Sequence, residues 1–564
     1  MKKLKLTAIL LCCFMLVPAF AGCKVNNQHN DPTRLNIAVI AKGYGSDYAY
    51  ALADAYNAAQ SDIIAEVVKV TSEDSFVSTT LSSGAANNPI DVYFTLQNTM
   101  FSELARANTV PSYSGPAWAD LSAVFTASAE GYSESGAGVT YGSLMDPFFL
   151  KSVTHPYYDE RYEGKQYMVP WSTGFNGFLY NKALFDKANA NLKAAGGTEL
   201  KLPKTTKQMF ALFERIKTEA VIYNTSIPGS GSEKKYAFAY SGIDNYMGVA
   251  VECWWPQYDG LEKAEKFLEG KDYIGGQWQY SATIYDTPGR AVAYDAAREM
   301  ILKSNGYTNQ NDISTPFKTS QLNFLKGKAF FNLNGDWLEN EASNEFNQGE
   351  VDVRYFRAPV ISDIVNNPKI SALFSGLSAD DKEERLIEVL NYIDDAVIDG
   401  KTVTKPAWLT GQDDALKFLT EARLVNMCQT QYVAAVPDYS IKKAQAVEFL
   451  KFMLSKTGQE AVMSASLGIK APLSVDAAQF DYYSAATEMY KSKMDIMRKW
   501  RPFALDINYH PIFFLGGAQN YVGNNTSMAT AFGTDSPLPA GKYFEKEVEY
   551  FAGLWSKIMA DAFD

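Results

Sequence analysis

The sequence predicts an α/β protein with parallel strands, large enough for two hydrophobic cores. Three observations carry this. Apolar strand-like runs alternate with helical patterns over the first hundred residues, the order that builds a parallel sheet flanked by helices. The chain has 564 residues, more than one ordinary domain and enough to bury two large cores. Its hydrophobic fraction is 47%, a globular rather than a disordered composition.

In chain order, residues 35–41 form an apolar run of strand composition, 48–59 an Ala-rich helix, 63–70 a strand and 90–95 another. A short helical stretch begins at Ser72, and Asn98 caps a helix through Ala107. In such sheets ligands bind beyond the carboxyl ends of the strands. The loops 42–46, with Tyr44, and 96–98, with Gln97, are therefore candidate ligand loops. Gly43-Tyr44-Gly45 is only a GxG, because Tyr48 stands where a dinucleotide fingerprint needs its third glycine. Residues 109–150 are rich in Ser, Gly, Pro and Ala and read as an irregular excursion.

The segment 164–188, GKQYMVPWSTGFNGFLYNKALFDKA, reads as two short strands, 166–170 and 178–180, around a polar turn at 172–176 headed by Trp171. Asn181 caps a helix that starts at Lys182. Trp171 offers a flat apolar face, and Asn176 lies among the hydrogen-bonding groups of the turn. A buried core tryptophan in a hairpin accounts for the same pattern.

Further along, Thr205 and Gln208 form a capping box for a helix to about Glu219, and 236–240 is a strand. Residues 251–256 bring Cys253, Trp254 and Trp255 together; adjacent side chains rarely both bury, so one of the two rings is expected to face a ligand. Thr287 and Pro288 open a helix through about Lys303. Residues 326–337 run from a helix end through an apolar strand into Gly335-Asp336-Trp337. A strand at 351–356 and a charged helical insertion at 376–420 follow. The strand 432–436 leads to a helix at 441–454 and a second to about Gly468. Two amphipathic helices, around 484–500 and 541–563, are expected to brace a lobe.

The first residues give the compartment. Lys2, Lys3 and Lys5 precede the apolar run 6–20, and Phe20-Ala21-Gly22-Cys23 follows, the pattern of a lipoprotein signal with Cys23 lipidated. Residues 1–22 are then leader and 24–33, polar and Asn-rich, a tether; the expected location is a membrane face, lipid-anchored and outside the cell. No later apolar run reaches membrane-spanning length. Cys253 and Cys428 remain in the body, and one pairing between them stays open.

Composition excludes several functions. The net charge is −12, and −15 once the three leader lysines are removed, the wrong sign for nucleic-acid binding. The only histidines are His29, His155 and His510, too few for metal clusters or Ser/Cys–His catalysis. No GxSxG, HExxH or P-loop spacing occurs. Asp91, Glu252, Asp259 and Asp336 are scattered acids near interesting loops, the material a glycosidase would need. The reading is a non-enzyme with no catalytic residue, metal or cofactor.

Several segments share a resemblance. Gly164, Lys165, Tyr167, Pro170, then Tyr180, Asn181, Lys182, Phe185, Lys187 and Ala188 resemble the mid-chain signature of family 1 extracellular solute-binding proteins, the carbohydrate type that serves ATP-binding-cassette importers. The Gly-Lys-Ala at 327–329, the strand after it and Gly335-Asp336-Trp337 resemble a second element of that family, and residues 444–472 its final segment. The resemblance spans roughly 35–475 and implies a type II periplasmic-binding-protein-like fold. Two lobes would be joined by hinge crossings near 150–175, 280–290 and 340–355, with a ligand cleft between them. The first lobe is expected from 34–160 and 286–345, the second from 161–285 and 346–475, with 476–564 a helical extension. The implied ligand is a carbohydrate, with an oligosaccharide favoured, and the implied partners are permease subunits and a membrane; the chain is expected to be a monomer. Platforms are expected from Tyr44, Trp171, Trp254, Trp255 and Trp337, and polar contacts from Gln97, Asn176 and Asp336. The alternatives are a carbohydrate-active surface enzyme and a sensory or adhesion lipoprotein on the same fold.

Overall fold

The computed structural model describes residues 31–96, 99, 116–145, 165–219, 222, 235–244, 246–347, 351–429, 432–497, 501–503 and 527–563. Cys23, Gln97, His29, His155 and His510, and the helix expected from Asn98, lie outside the described residues.

The first sheet is built from β1 (Arg34–Ile40), β2 (Ile64–Thr71), β3 (Val92–Leu96), β4 (Val169–Pro170) and a late strand, Tyr432–Ala435. β1 runs parallel to β2 and β3, whereas Tyr432–Ala435 is antiparallel to both β3 and β4. All of β1 beyond Arg34 is buried, as a continuous apolar run in a parallel sheet should be. The helix Asp47–Ala59 follows it and turns Tyr48, Ala49, Leu52, Ala53 and Tyr56 inward, one helical stripe.

The second sheet is organised on β5 (Gly174–Asn181), all eight residues of which are buried. Its other strands are β6 (Tyr236–Ala239), β7 (Ala329–Gly335), β8 (Val353–Phe356), β9 (Val425–Gln429) and, across β9, Arg501–Phe503. One edge of β5 is shared: β9 pairs with residues 174–176 and β8 with 178–181. β7 lies along the opposite edge, with β6 parallel beyond it. A separate hairpin joins Lys271–Ile274 to Gln277–Tyr280.

Local chemistry sets the helix starts as the sequence suggests. Asn181 Oδ1 accepts from Leu184 N at 2.9 Å, Thr205 Oγ1 from Gln208 N at 3.2 Å and Thr287 Oγ1 from Arg290 N at 3.4 Å. The charged insertion is helical, at Ala379–Tyr392 and Asp413–Leu424. Among the described residues no helix is long and apolar enough to cross a membrane.

Two expectations are corrected. The strands around Trp171 are not a hairpin: β4 belongs to the first sheet and β5 to the second, so residues 171–173 cross between sheets. That fits a first crossing within 150–175, but the later crossings lie elsewhere. β7 and the helix Pro288–Ile301 pack in the second lobe rather than the first, because β7 pairs with β5 and the helix lies on Gly248–Asp259. Tyr432–Ala435 and the helix Lys456–Ala465 return to the first lobe, the helix packing on Asp47–Ala59. The chain has therefore returned to the first lobe between β9 and Tyr432, and it leaves again near 484–487, since helix Glu488–Met497 packs on β8. Helix Ala540–Phe563 lies on Pro288–Ile301, with Phe551 stacked on Tyr285 at 5.2 Å.

Candidate functional site

The carboxyl ends of β1, β6 and β7 meet where the two lobes face each other. From β1 the chain turns through 42–45, closed by Gly45 N donating to Lys42 O at 2.8 Å with Gly45 at φ 67. Gly43 lies flat against Trp337, and a Cβ there would sit 3.0 Å from Trp337 Cβ. Asn340 Nδ2 donates to Gly43 O at 2.7 Å, a direct bond between lobes.

Tyr44 is 2% exposed, with its ring 4.7 Å from Tyr432, 6.0 Å from Trp171 and 6.4 Å from Trp337. Its hydroxyl donates to Asp336 Oδ1 at 2.7 Å, and burial together with the Asp336 charge pushes its pKa well up, so it stays a donor. The other oxygen, Asp336 Oδ2, accepts from Lys493 Nζ at 3.0 Å. Asp336 is thus committed on both oxygens to the protein, which corrects the expectation of a free polar partner for a ligand.

Trp337 is half-buried, the least buried of the five expected platforms. Its Nε1 donates to Tyr246 OH at 3.3 Å, and Tyr246 in turn stacks on Phe317 at 6.3 Å. Glu341, one turn beyond Trp337, accepts from Gln321 Nε2 at 2.8 Å. Burial raises its carboxyl pKa, countered by that hydrogen bond and by Lys318. Tyr246, Phe317, Trp337, Asn340 and Glu341 are each half-buried and together form an aromatic ledge with polar edges. Sequence reasoning missed Tyr246, although it lies just past the strand 236–240, where the rule about carboxyl ends of strands points.

Trp171 is 1% exposed and stacks on Tyr48 at 4.0 Å in the first lobe's core. It lies one ring beneath Tyr44 rather than on a surface. Along the same crossing and into β5, Trp171 Nε1, Ser172 Oγ, Thr173 Oγ1 and Asn176 Nδ2 are buried without a hydrogen-bond partner among the described residues. Such atoms are few in native proteins, and each costs about 1–3 kcal/mol. Thr173 also borders a cavity of about 630 Å³ whose wall includes Lys470, Asp476, Tyr483 and Met494. First-lobe, crossing and second-lobe segments all line it, so its shape follows the angle between the lobes.

Trp254 and Trp255 are corrected outright. Both are 0% exposed. Trp254 packs on Phe178 and donates from Nε1 to Pro359 O at 3.0 Å; Trp255 donates to Glu252 at 2.7 Å and carries the Arg290 guanidinium over its ring at 4.4 Å. Helix Gly248–Asp259 is wrapped on nearly every side, so adjacent rings both bury. Cys253, on the same helix, is a buried free thiol with its pKa pushed up to about 12 by burial.

The scattered acids are structural as well. Asp91 accepts from Lys442 and Ser440, Asp259 from Gly289 N, and Glu252 lies beside Arg290.

Two α/β lobes joined by adjacent crossings, with an aromatic ledge between them, define a two-lobed solute-binding protein. The chain belongs to the family of bacterial extracellular solute-binding proteins, whose model matches residues 42–460. That family acts outside the cytoplasm on small-molecule solutes, and its members are binding proteins rather than enzymes. Among solved structures the chain is similar to a cyclic α-maltosyl-1,6-maltose binding protein from Arthrobacter globiformis. The two are 14% identical with a TM-score of 0.49, over 93% of this chain and 99% of the other. No curated protein matches the chain.

Proposed function

We propose that the protein captures a carbohydrate, an oligosaccharide by preference, between its lobes and delivers it to the permease of an ATP-binding-cassette importer. Lipid on Cys23 would tether it to the outer face of the membrane. The observation that carries the ligand class is the pairing of two features at one junction. The half-buried Trp337 and Tyr246 offer ring faces, and the crossing with the start of β5 holds four buried polar atoms that have no hydrogen-bond partner among the described residues. A pyranose suits both, since its C–H face covers an aromatic ring and its hydroxyls both donate and accept. Asn176 belongs to this site through its backbone pairing with Gly335, two residues before Trp337. A ligand touching both the ledge and the loop 42–46 favours closure through contacts the open form lacks.

The test is a thermal-shift screen of the full mature chain against mono- and disaccharides of glucose, mannose, xylose and galactose and against longer gluco-oligosaccharides. Stabilisation by one sugar, recovered intact afterwards, supports the reading. Turnover of that sugar would favour the surface-enzyme alternative, and a flat response across the whole panel would sink the carbohydrate assignment.

A further inference from the structure

We infer that Lys493 is a positioning residue for the solute site, supplied by the C-terminal extension that lies beyond the stretch matching the family. It holds Asp336, Asp336 holds Tyr44, and Tyr44 sets where the first lobe meets the second. The inference rests on the solute-binding reading of that junction.

The geometry is a chain of three buried groups drawn from three parts of the sequence. The side chains of Lys493 and Asp336 are only 5% and 3% exposed, and their charged atoms lie 3.0 Å apart. Asp336 uses its second oxygen for the Tyr44 hydroxyl at 2.7 Å. Asp336 itself is fixed from behind, its N–H donating to Phe175 O at 2.9 Å. One carboxylate is therefore clamped between a first-lobe loop and a helix that packs on the second lobe.

The helix Glu488–Met497 is held firmly enough to act as a mount. Ser492 Oγ accepts from Tyr355 N at 2.9 Å, Arg357 donates to Ile496 O at 3.2 Å, and Thr487 donates to Glu339 Oε2 at 2.8 Å. The groups facing the Lys493 ammonium are Asp336, the Tyr490 ring at 4.9 Å, and Glu339. Burial pushes the Glu339 carboxyl up to about 7, and the nearby lysine opposes that.

A buried ion pair contributes little net stability, because desolvation offsets its attraction; what it supplies is a fixed position. Here the fixed object is the residue before Trp337, bonded to the residue after Gly43. A shift of Asp336 moves the ledge and the facing loop together, and catalytic or binding groups tolerate only small misplacements. The extension then belongs to the site and is more than a brace on one lobe.

The experiment uses the full mature chain and three variants: Lys493→Met, Lys493→Arg, and Lys493→Met combined with Asp336→Asn. Amide hydrogen exchange is read at residues 43–46, with residues 330–334 of β7 as an internal control. Lys493→Met is expected to speed exchange at 43–46 at least tenfold while the control residues stay protected, and Lys493→Arg should restore most of the protection. The double variant removes the stranded carboxylate charge. If Lys493 positions, exchange at 43–46 stays fast in it although melting recovers; if the lysine only neutralises charge, both recover and the inference falls. Unchanged exchange at 43–46 in Lys493→Met, or equal acceleration at the control residues, overturns it too. The readout needs no sugar, so an empty sugar screen would refute the carbohydrate reading while the exchange result still judges Lys493.

Discussion

Trp337 and Trp254 look alike in the sequence, and the structure assigns them opposite consequences. Trp337→Ala removes a half-buried ring that packs against Tyr44 and Tyr246 at 6.4 Å each. A fully buried Trp→Ala change costs about 3–5 kcal/mol, so a half-buried ring should cost about 2 kcal/mol of stability. For binding, a pyranose face covers on the order of 60 Å² of ring, which at about 25 cal/mol per Å² is worth about 1.5 kcal/mol, or roughly tenfold in Kd. Trp254→Phe keeps a ring against Phe178 but strands Pro359 O and leaves a small void. Its expected cost is about 3 kcal/mol of stability with no change in affinity. The assays are urea denaturation and isothermal titration calorimetry with the sugar that gives the largest thermal shift. A Trp337→Ala protein that binds within twofold of the parent refutes the ledge as the platform. Equal weakening by Trp254→Phe refutes the separation of core from site.

Three further outcomes are expected. Tyr44→Phe keeps the ring packing and removes only the bond to the Asp336 carboxylate; urea denaturation should show a loss of about 2 kcal/mol, and a loss below about 0.5 kcal/mol contradicts the buried bond. Glu547 is 5% exposed, and burial raises its pKa from 4.5 to about 8, opposed by Arg290, so the folded state holds its proton more tightly than the unfolded state. Its contribution is fully present below pH 4.5 and is lost as pH rises through about 8. Glu547→Gln should therefore match the parent near pH 4 and exceed it by up to about 5 kcal/mol above pH 8.5, and a pH-independent difference would contradict this. Gly289→Ala would place a Cβ 2.5 Å from both Trp255 O and Asp259 Oδ2. A melting curve should show a loss of at least about 2 kcal/mol, and a neutral variant would mean that the helices Gly248–Asp259 and Pro288–Ile301 separate easily.

What was legible in the sequence was whatever depends on near neighbours. The alternation through β1, β2 and β3 and the caps at Asn181, Thr205 and Thr287 rest on periodicity and on groups three residues apart. The position of Trp337 just past a strand end was legible for the same reason. The fates of Trp254 and Trp255 were not, because Phe178, Pro359, Arg290 and Phe267 bury them from four separate segments. Asp336 could be placed near the site, but not its saturation. Its partners lie 292 and 157 residues away in sequence, and no local pattern announces either.

The misplaced crossings have a common physical origin, and it bears on how the lobes move. A strand's sheet is fixed by its partner, and β7 reads equally well as the edge of either sheet until β5 is known to lie beside it. With the partners known, the first two crossings run side by side, Trp171 N donating to Tyr432 O at 3.4 Å, and Thr173 N reaches Lys470 O at 2.8 Å. Rotation of one lobe on the other must bend about these strands. Trp171 and Tyr432 then sit on the axis, where displacement is smallest, and contacts there change little between open and closed forms. A solute can shift the balance only through groups whose separation changes, because equal contacts in both states shift nothing. On this argument the qualifying groups are Trp337, Tyr246 and Asn340 on one lobe and the backbone of the loop 42–46 on the other, the Tyr44 ring itself being packed 4.7 Å from Tyr432. Trp171 at the centre of the crossing is on this argument a support of the floor, and the solute's leverage belongs to the ledge.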